Sequence, residues 1–484
     1  MKKGTFLLII LLFAFVSAKA EVTLLSGTGV SNDPYMIGTA DDLKFMRDQV
    51  NAATAGYPAA FYKLTGNIDL SGGDWSPIGT TDNNFKGSFD GNGMKITHLQ
   101  IGVSGTPTSI LNAGLFAYVT DAIILNLSVE TDGIYASGVS NTGILVASAT
   151  GTIIGNCNVI GVISTTHTAT GSVGGLIGRS FGSKIVNCMA DVSLTANASA
   201  GTLNCGGIAG NLSTGTFQTT ANVNSYIYNS YSKTSVYSIT ANTTIYAGGV
   251  VGNLAGGNIY NSYTSTSVKG ECTSGVANVY VGGIIGQGAA GMDLKNCIAL
   301  NSSITCINPG ANRQIGRMAG ATVGTAINYD ADYGLESVVV QSGTSPSTLA
   351  AVNLGTKLVN NKQGADLGAN VPKDLLNAYI AANTAPAETS WMNWKVIDGV
   401  NNGNPVLYNP NTSIGSEIQT QSIKTYSSNG ILTIEGLDLN KPISIYNING
   451  QKVWTGFANA DKTEITLAKG VYALSGYKKL IMNY

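Results

Sequence analysis

The chain has 484 residues with 26 Lys plus Arg against 27 Asp plus Glu, so it carries almost no net charge. That balance offers no field to steer nucleic acid or an anionic membrane surface. Charged residues make up 11% and only two are His, whereas Gly supplies 61 residues, so acids, bases and metal ligands are scarce. A hydrophobic content of 44% argues against disorder, and the absence of a G-X-Y period rules out collagen. The composition reads as all-β.

In chain order, Lys2 and Lys3 precede an apolar run from Phe6 to Val16 that ends at Ala18-Lys19-Ala20. That is the layout of a signal peptide over residues 1–20, too short to span a bilayer, and it places the protein outside the cell or at its surface. No later segment reads as an integral membrane span. Residues 21–60 are expected to form an N-terminal cap. Within it, Thr39-Ala40-Asp41-Asp42 reads as a capping-box start, and Leu43, Met46 and Val50 share one face of a helix over 40–53. A cap is needed because an open solenoid end would invite strand pairing with another chain.

Residues 61–330 read as coils of a right-handed parallel β-helix, with early coils at about 61–70 and 85–101. From about residue 113 the chain repeats a Gly-Gly-apolar-apolar-Gly motif, as in Gly174-Gly175-Leu176-Ile177-Gly178 and Gly248-Gly249-Val250-Val251-Gly252. Its steps run from Thr142 to Gly174, Gly206, Gly248 and Gly282, and one of them swells to 42 residues. A second motif places Asn126, Asn156, Asn187, Asn229, Asn261 and Asn296 after an apolar pair, with Asn328 closing the series and His98 aligned one coil earlier. In a parallel β-helix equivalent residues stack about 4.7 Å apart, so these asparagines predict a hydrogen-bonded ladder at a bend. The next column (Leu127, Cys157, Cys188, Ser230, Ser262, Cys297) is small or apolar and is expected inside. No proline occurs between Pro107 and Pro309, which suits strands whose every N–H is used.

Residues 331–415 lose the repeat and read as a C-terminal cap module, with a short helix from Pro372 and two tryptophans, Trp391 and Trp394. From 422 to 484 alternating segments such as Ile431–Ile434 and Ile443–Tyr446, with a turn at Asn449-Gly450, predict a small β-sandwich.

These residues carry two resemblances. The repeated glycine motif followed by apolar-x-Asn-Cys/Ser is similar to the GLUG-motif repeats of bacterial surface and secreted proteins. The stretch from Gly27-Thr28-Gly29 to Asp90-Gly91-Asn92-Gly93 resembles the opening of such proteins in Bacteroidetes-type bacteria. The order Ile445–Val453 then Leu467–Tyr472 is similar to the sorting domain of the type IX secretion pathway. The first resemblance implies the fold and assigns no catalytic residue. The second implies surface attachment.

For function, three readings are weighed. A glycoside hydrolase needs two carboxylates about 5–9 Å apart, and a polysaccharide lyase needs a Ca²⁺ cluster with a base. Between residues 121 and 330 there are 14 charged residues, and Asp121, Asp132, Asp191 and Asp293 share no column. Asp69 and Asp90 sit in turn-like contexts, and His98 and His167 have no triad partners in view. The sequence therefore predicts no catalytic residue, cofactor or metal. A second reading is a purely structural surface spacer. The third is adhesion or binding to a host or environmental glycan or surface protein. It rests on Tyr228 with Tyr260 and Tyr231 with Tyr263, two adjacent-coil pairs expected on the solvent side, either as contact area or as ordinary sheet surface. Cys272 and Cys306, 34 residues apart, are placed about one coil from each other and are a possible disulfide.

Overall fold

The computed structural model describes residues 25–408 apart from 275–276, 324–326, 353–362 and 387–389, and beyond 423 chiefly the strands. The proposed signal segment and the Asn449-Gly450 turn lie outside the described residues. The chain divides into two compact units, Met1–Met392 and Asn393–Tyr484.

The first unit is a parallel β-solenoid. Four ladders run along it: a ten-stranded sheet A (Tyr35–Ile37 through Asn328–Asp330), a sixteen-stranded sheet B, and two seven-stranded sheets, C and D. One coil illustrates the path. Lys184–Val186 belongs to sheet A, Met189–Ala198 to sheet B, Thr202–Gly206 to sheet C and Ala209–Ser213 to sheet D. Successive coils pair in register, with Ile154 opposite Ile185, Ile185 opposite Ile227 and Ile227 opposite Ile259. That isoleucine column is fully buried and forms one wall of the core. Burying each such side chain contributes roughly 1.5–3 kcal/mol.

Two corners set the coil shape, and each is written in the repeat. At the turn from sheet A to sheet B, all six ladder asparagines adopt φ between 48° and 56°. Asn tolerates this left-handed bend better than other side-chain-bearing residues. Each one's Nδ2 donates to Oδ1 of the Asn one coil earlier, from Asn156 to Asn126 at 2.9 Å through Asn296 to Asn261 at 2.7 Å. Asn126 donates in turn to Asp90 Oδ1 at 3.0 Å, so a carboxylate starts the ladder. At the turn from sheet C to sheet D the glycines are required by close stacking. A Cβ on Gly175, Gly207 or Gly249 would meet the carbonyl oxygen of the same residue type one coil on. In the last copy this second position is Arg317, whose side chain is 1% exposed. Its guanidinium donates to the carbonyls of Gly334, Leu335, Gln363 and Gly364 and to Asp366, closing that end of the core.

The interior column after the Asn bend is as expected, and its hydroxyls bond backbone. Cys188 N–H donates to Ser230 Oγ at 3.0 Å and Ser230 N–H to Ser262 Oγ at 3.1 Å. Asp332 takes this place in the last coil and accepts from Cys297 N–H at 2.7 Å. The N-terminal helix α1 spans Ala40–Asn51 with the Thr39/Asp42 capping box formed and Leu43, Met46 and Val50 buried.

Three alignments differ from expectation. Asn328 is opposite Asp293, so the bend position of its coil falls on Ala331, which has φ 54°. His98 is not in the Asn column. Ile96 pairs with Val129 and Leu99 with Thr131, so Thr97 and His98 together oppose one residue in a β-bulge. Its Nδ1 lies 3.1 Å from Asp132. Cys272 and Cys306 are both free and buried. Cys306 pairs with Gly270, two residues away from Cys272, so the strand register offsets the two thiols.

The second unit contains an antiparallel pair (Asn393–Lys395 with Val406–Tyr408), a three-stranded and a four-stranded antiparallel sheet. Trp394 is buried there, opposite Leu407.

Candidate functional site

The outer face of sheet A gathers the aromatic residues. In the strand Ser225–Tyr228 the core residue is Ile227, so Tyr226 and Tyr228 flank it and both point outward. On the next coil Tyr260 lies opposite Tyr228. Tyr226 and Tyr228 stack with centroids 5.3 Å apart and an interplanar angle of 11°, and Tyr228 and Tyr260 lie 5.2 Å apart. Tyr260 Oη donates to Asp293 Oδ2 at 2.9 Å, and Lys295 Nζ sits 5.7 Å from the Tyr260 ring. Burial first, and the Asp293 hydrogen bond second, push the Tyr260 hydroxyl pKa up. Burial works to raise Asp293, but hydrogen bonds from Asn328 and Tyr260 and the Lys295 charge hold it below the usual carboxylate range.

A segment that the sequence placed as a distal cap completes this surface. The helix α2 (Pro372–Ala382) and residues Ser390–Met392 lie along the Asn corner. Asn296 Nδ2 donates to Leu375 O, Asn187 Nδ2 to Ser390 O at 2.6 Å, and Asn229 Nδ2 to Met392 O at 2.8 Å. Each ladder amide carries two N–H donors. One serves the neighbouring Asn, and in these three coils the other holds the returning segment. Trp391 thereby reaches 6.0 Å from Tyr228 and 6.5 Å from Tyr379. Burial brings the Tyr379 hydroxyl up to about 12.

Two of the expected tyrosines are covered rather than exposed. Tyr231 and Tyr263 follow the bend and alternate with the interior Ser230, Ser232, Ser262 and Thr264, so they do point out of the coil. They are nevertheless 7% and 0% exposed, stacked 5.1 Å apart, beside the corner that the returning segment crosses. Of the four expected tyrosines, only Tyr228 and Tyr260 reach solvent, both half-buried. The sequence names Tyr226 as a neighbour of this region but assigns Tyr379 and Trp391 to the distal cap, because nothing local links them to coils as far as 203 residues earlier.

The 42-residue step is a hairpin. Gly215–Phe217 pairs antiparallel with Thr220–Val223 at the corner between sheets D and A. Lys184 Nζ lies 4.3 Å from the Phe217 ring, so the hairpin borders the same outer face.

His167 and the cysteines lie inside the fold. His167 is 1% exposed, with Nδ1 2.8 Å from Val139 O and Nε2 3.0 Å from Thr165 Oγ1. Both contacts suit a neutral ring, and burial lowers its pKa to about 4. All six cysteines are buried, and burial pushes Cys205 and Cys306 up to about 12. Among the described residues no group of three or more His, Cys, Asp or Glu is placed to hold a metal ion, and no helix is long and apolar enough to cross a membrane.

No family model matches the chain. A stretch of 113 residues is 32% identical to a "Putative Gly-rich membrane protein" of Evansella cellulosilytica, covering 23% of this chain and 13% of that relative's length. Among solved structures, the chain is similar to one described as "a putative immunoglobulin A1 protease from Bacteroides ovatus", at 21% identity and a TM-score of 0.44, covering 79% of this chain and 94% of that one. A second, named "IgA1 Protease", is 16% identical with a TM-score of 0.37, over 65% of this chain and 22% of that one. At these scores the solenoid assignment rests on the strand pairing itself.

Proposed function

We propose that this protein is a non-catalytic, exported β-solenoid that binds a surface partner, with glycan as the class its chemistry fits best. The observation that carries the reading is the aromatic cluster on sheet A. Tyr226, Tyr228, Tyr260, Tyr379 and Trp391 form one half-buried surface. Large, rigid, amphipathic rings supply contact area at low entropic cost, and their hydroxyls add polar handles at the edge. Solenoids in general use such extended lateral surfaces for recognition. Export and attachment are supported by the signal-like leader and by the resemblances to GLUG repeats and to a sorting domain.

The test is a glycan array probed with the exported protein, followed by product analysis on every glycan retained. The reading expects binding without turnover, reduced by at least tenfold in a Tyr228→Ser/Tyr260→Ser variant. Release of oligosaccharides, or cleavage of an added protein substrate, that depends on one Asp or Glu would overturn it in favour of an enzyme. Retention of nothing on the array or on a panel of surface proteins would favour a spacer.

A further inference from the structure

A second part of the sheet A outer face is built differently. Over the first coils, Phe61 and Lys63 flank the inward Tyr62, and Ser88 and Asp90 flank the inward Phe89. Register places Phe61 against Ser88 and Lys63 against Asp90. Together with the segment Ser26–Met36 these strands line an open cavity of about 810 Å³ that extends to Leu125 and Asn126. That volume lies within the usual range of small-molecule sites.

We infer that this cavity binds a neutral saccharide of one or two rings. Three features specify the class. Phe61 is 39% exposed on the cavity wall, a large apolar ring at an outward position, and it suits the C–H face of a pyranose. Lys63 Nζ and Asp90 Oδ2 lie 3.7 Å apart, each about one-third exposed, a loose pair that presents a donor and an acceptor side by side. Vicinal hydroxyls need both. Asp90 Oδ1 is already engaged by Asn92 N–H at 2.8 Å and Asn126 Nδ2 at 3.0 Å, which fixes the carboxylate and leaves Oδ2 on the Lys63 side. The same residue that starts the Asn ladder thus positions the cavity acceptor.

Charge excludes the neighbouring classes. Lys63 is matched by Asp90, and Asp33 adds a further carboxylate to the lining, so the wall has no surplus cation to hold an anion. Two carboxylates and an ammonium on the wall likewise disfavour a purely apolar ligand, because their solvation would be lost without replacement. A polyol replaces that solvation with its own hydroxyls. The inference shares with the proposed function only the glycan class. It concerns different residues, at the opposite end of the sheet from the tyrosines.

The experiment uses the full chain and saturation-transfer NMR with cellobiose, lactose, maltose and chitobiose, each at about 5 mM, a concentration that detects millimolar dissociation constants. At least one is expected to receive saturation, and its affinity, read by titration, should fall at least tenfold in Phe61→Ala and in Asp90→Asn. The Asn substitution keeps the Oδ1 acceptor for Asn126, and thermal melts confirm that both variants fold. Tyr228→Ser/Tyr260→Ser should leave this affinity unchanged. No saturation transfer to any of the four sugars overturns the inference, as does binding that survives both substitutions. Either result leaves tyrosine-dependent binding on the array untouched, so the two claims fail separately.

Discussion

Replacing Asn229 by Ala perturbs the ladder where it is most buried. The side chain is 0% exposed. Its Nδ2 donates to Asn187 Oδ1 at 2.7 Å and to Met392 O at 2.8 Å, and its Oδ1 accepts from Asn261 Nδ2 at 2.7 Å. Three hydrogen bonds are lost, each worth roughly 1 kcal/mol net, and the Asn261 N–H is left facing a methyl group. The backbone adds a second penalty, since φ is 48° and a Cβ without a compensating side-chain hydrogen bond costs roughly 1 kcal/mol there. The sum is a destabilisation of roughly 3–5 kcal/mol. Asn229→Gly loses the same hydrogen bonds but not the backbone term, so it should be about 1 kcal/mol more stable than the Ala variant. Urea unfolding of the three proteins measures both differences. Hydrogen exchange at Met392 should rise in both variants, because the returning segment loses an anchor. An Ala variant within about 0.5 kcal/mol of wild type would refute the ladder as a source of stability. A Gly variant less stable than Ala would refute the backbone argument.

Three further outcomes follow from the same geometry. Gly207→Ala sets a methyl against Gly249 O and Ser232 Oγ and should cost roughly 3 kcal/mol or more, whereas Gly66→Ala, with open space around it, should be nearly neutral by thermal melt. His167 stays neutral in the fold down to about pH 4, while the unfolded ring takes up a proton below about pH 6.5. The unfolded state therefore binds more protons in that window, and stability should fall by an amount on the order of 3 kcal/mol as pH drops through it, a slope that Gln at position 167 removes. Asp332, raised by burial, pushes the opposite way, which is why the comparison with His167→Gln is the informative one. The six thiols should resist alkylation in the native protein and all react in denaturant, with no mass loss of two hydrogens for Cys272 and Cys306.

Much of the solenoid is legible because its two corners demand particular residues. Only Asn recurs where a left-handed bend must also bond the next coil, and only Gly fits where one coil's carbonyl abuts the next coil's Cα. The column count fails where coils carry an extra residue. The bulge at His98 and the shift that puts Ala331 in place of Asn328 leave no trace in motif spacing. The site was half legible. Alternation identifies Tyr228, Tyr231, Tyr260 and Tyr263 as outward, but exposure depends on what lies above them. Leu375, Ser390 and Met392 are held through their backbone carbonyls, and a carbonyl has no sequence signature. Their placement along the ladder, and the burial of Tyr231 and Tyr263, could be found only in three dimensions.

The most direct test of the binding claim compares two tyrosine pairs that sequence alone treats alike. Tyr228→Ser/Tyr260→Ser alters the solvent-facing cluster, and Tyr231→Ser/Tyr263→Ser alters the covered pair. On a glycan or surface protein whose retention survives Phe61→Ala, and so does not pass through the first-coil cavity, the outer double variant should lose binding by at least tenfold. Its stability should drop by roughly 2–4 kcal/mol, from the lost ring contacts and the Tyr260–Asp293 hydrogen bond, with the fold retained. The covered double variant should keep its binding while losing several kcal/mol of stability to the cavities left behind. An outer double variant that binds like wild type would contradict the account.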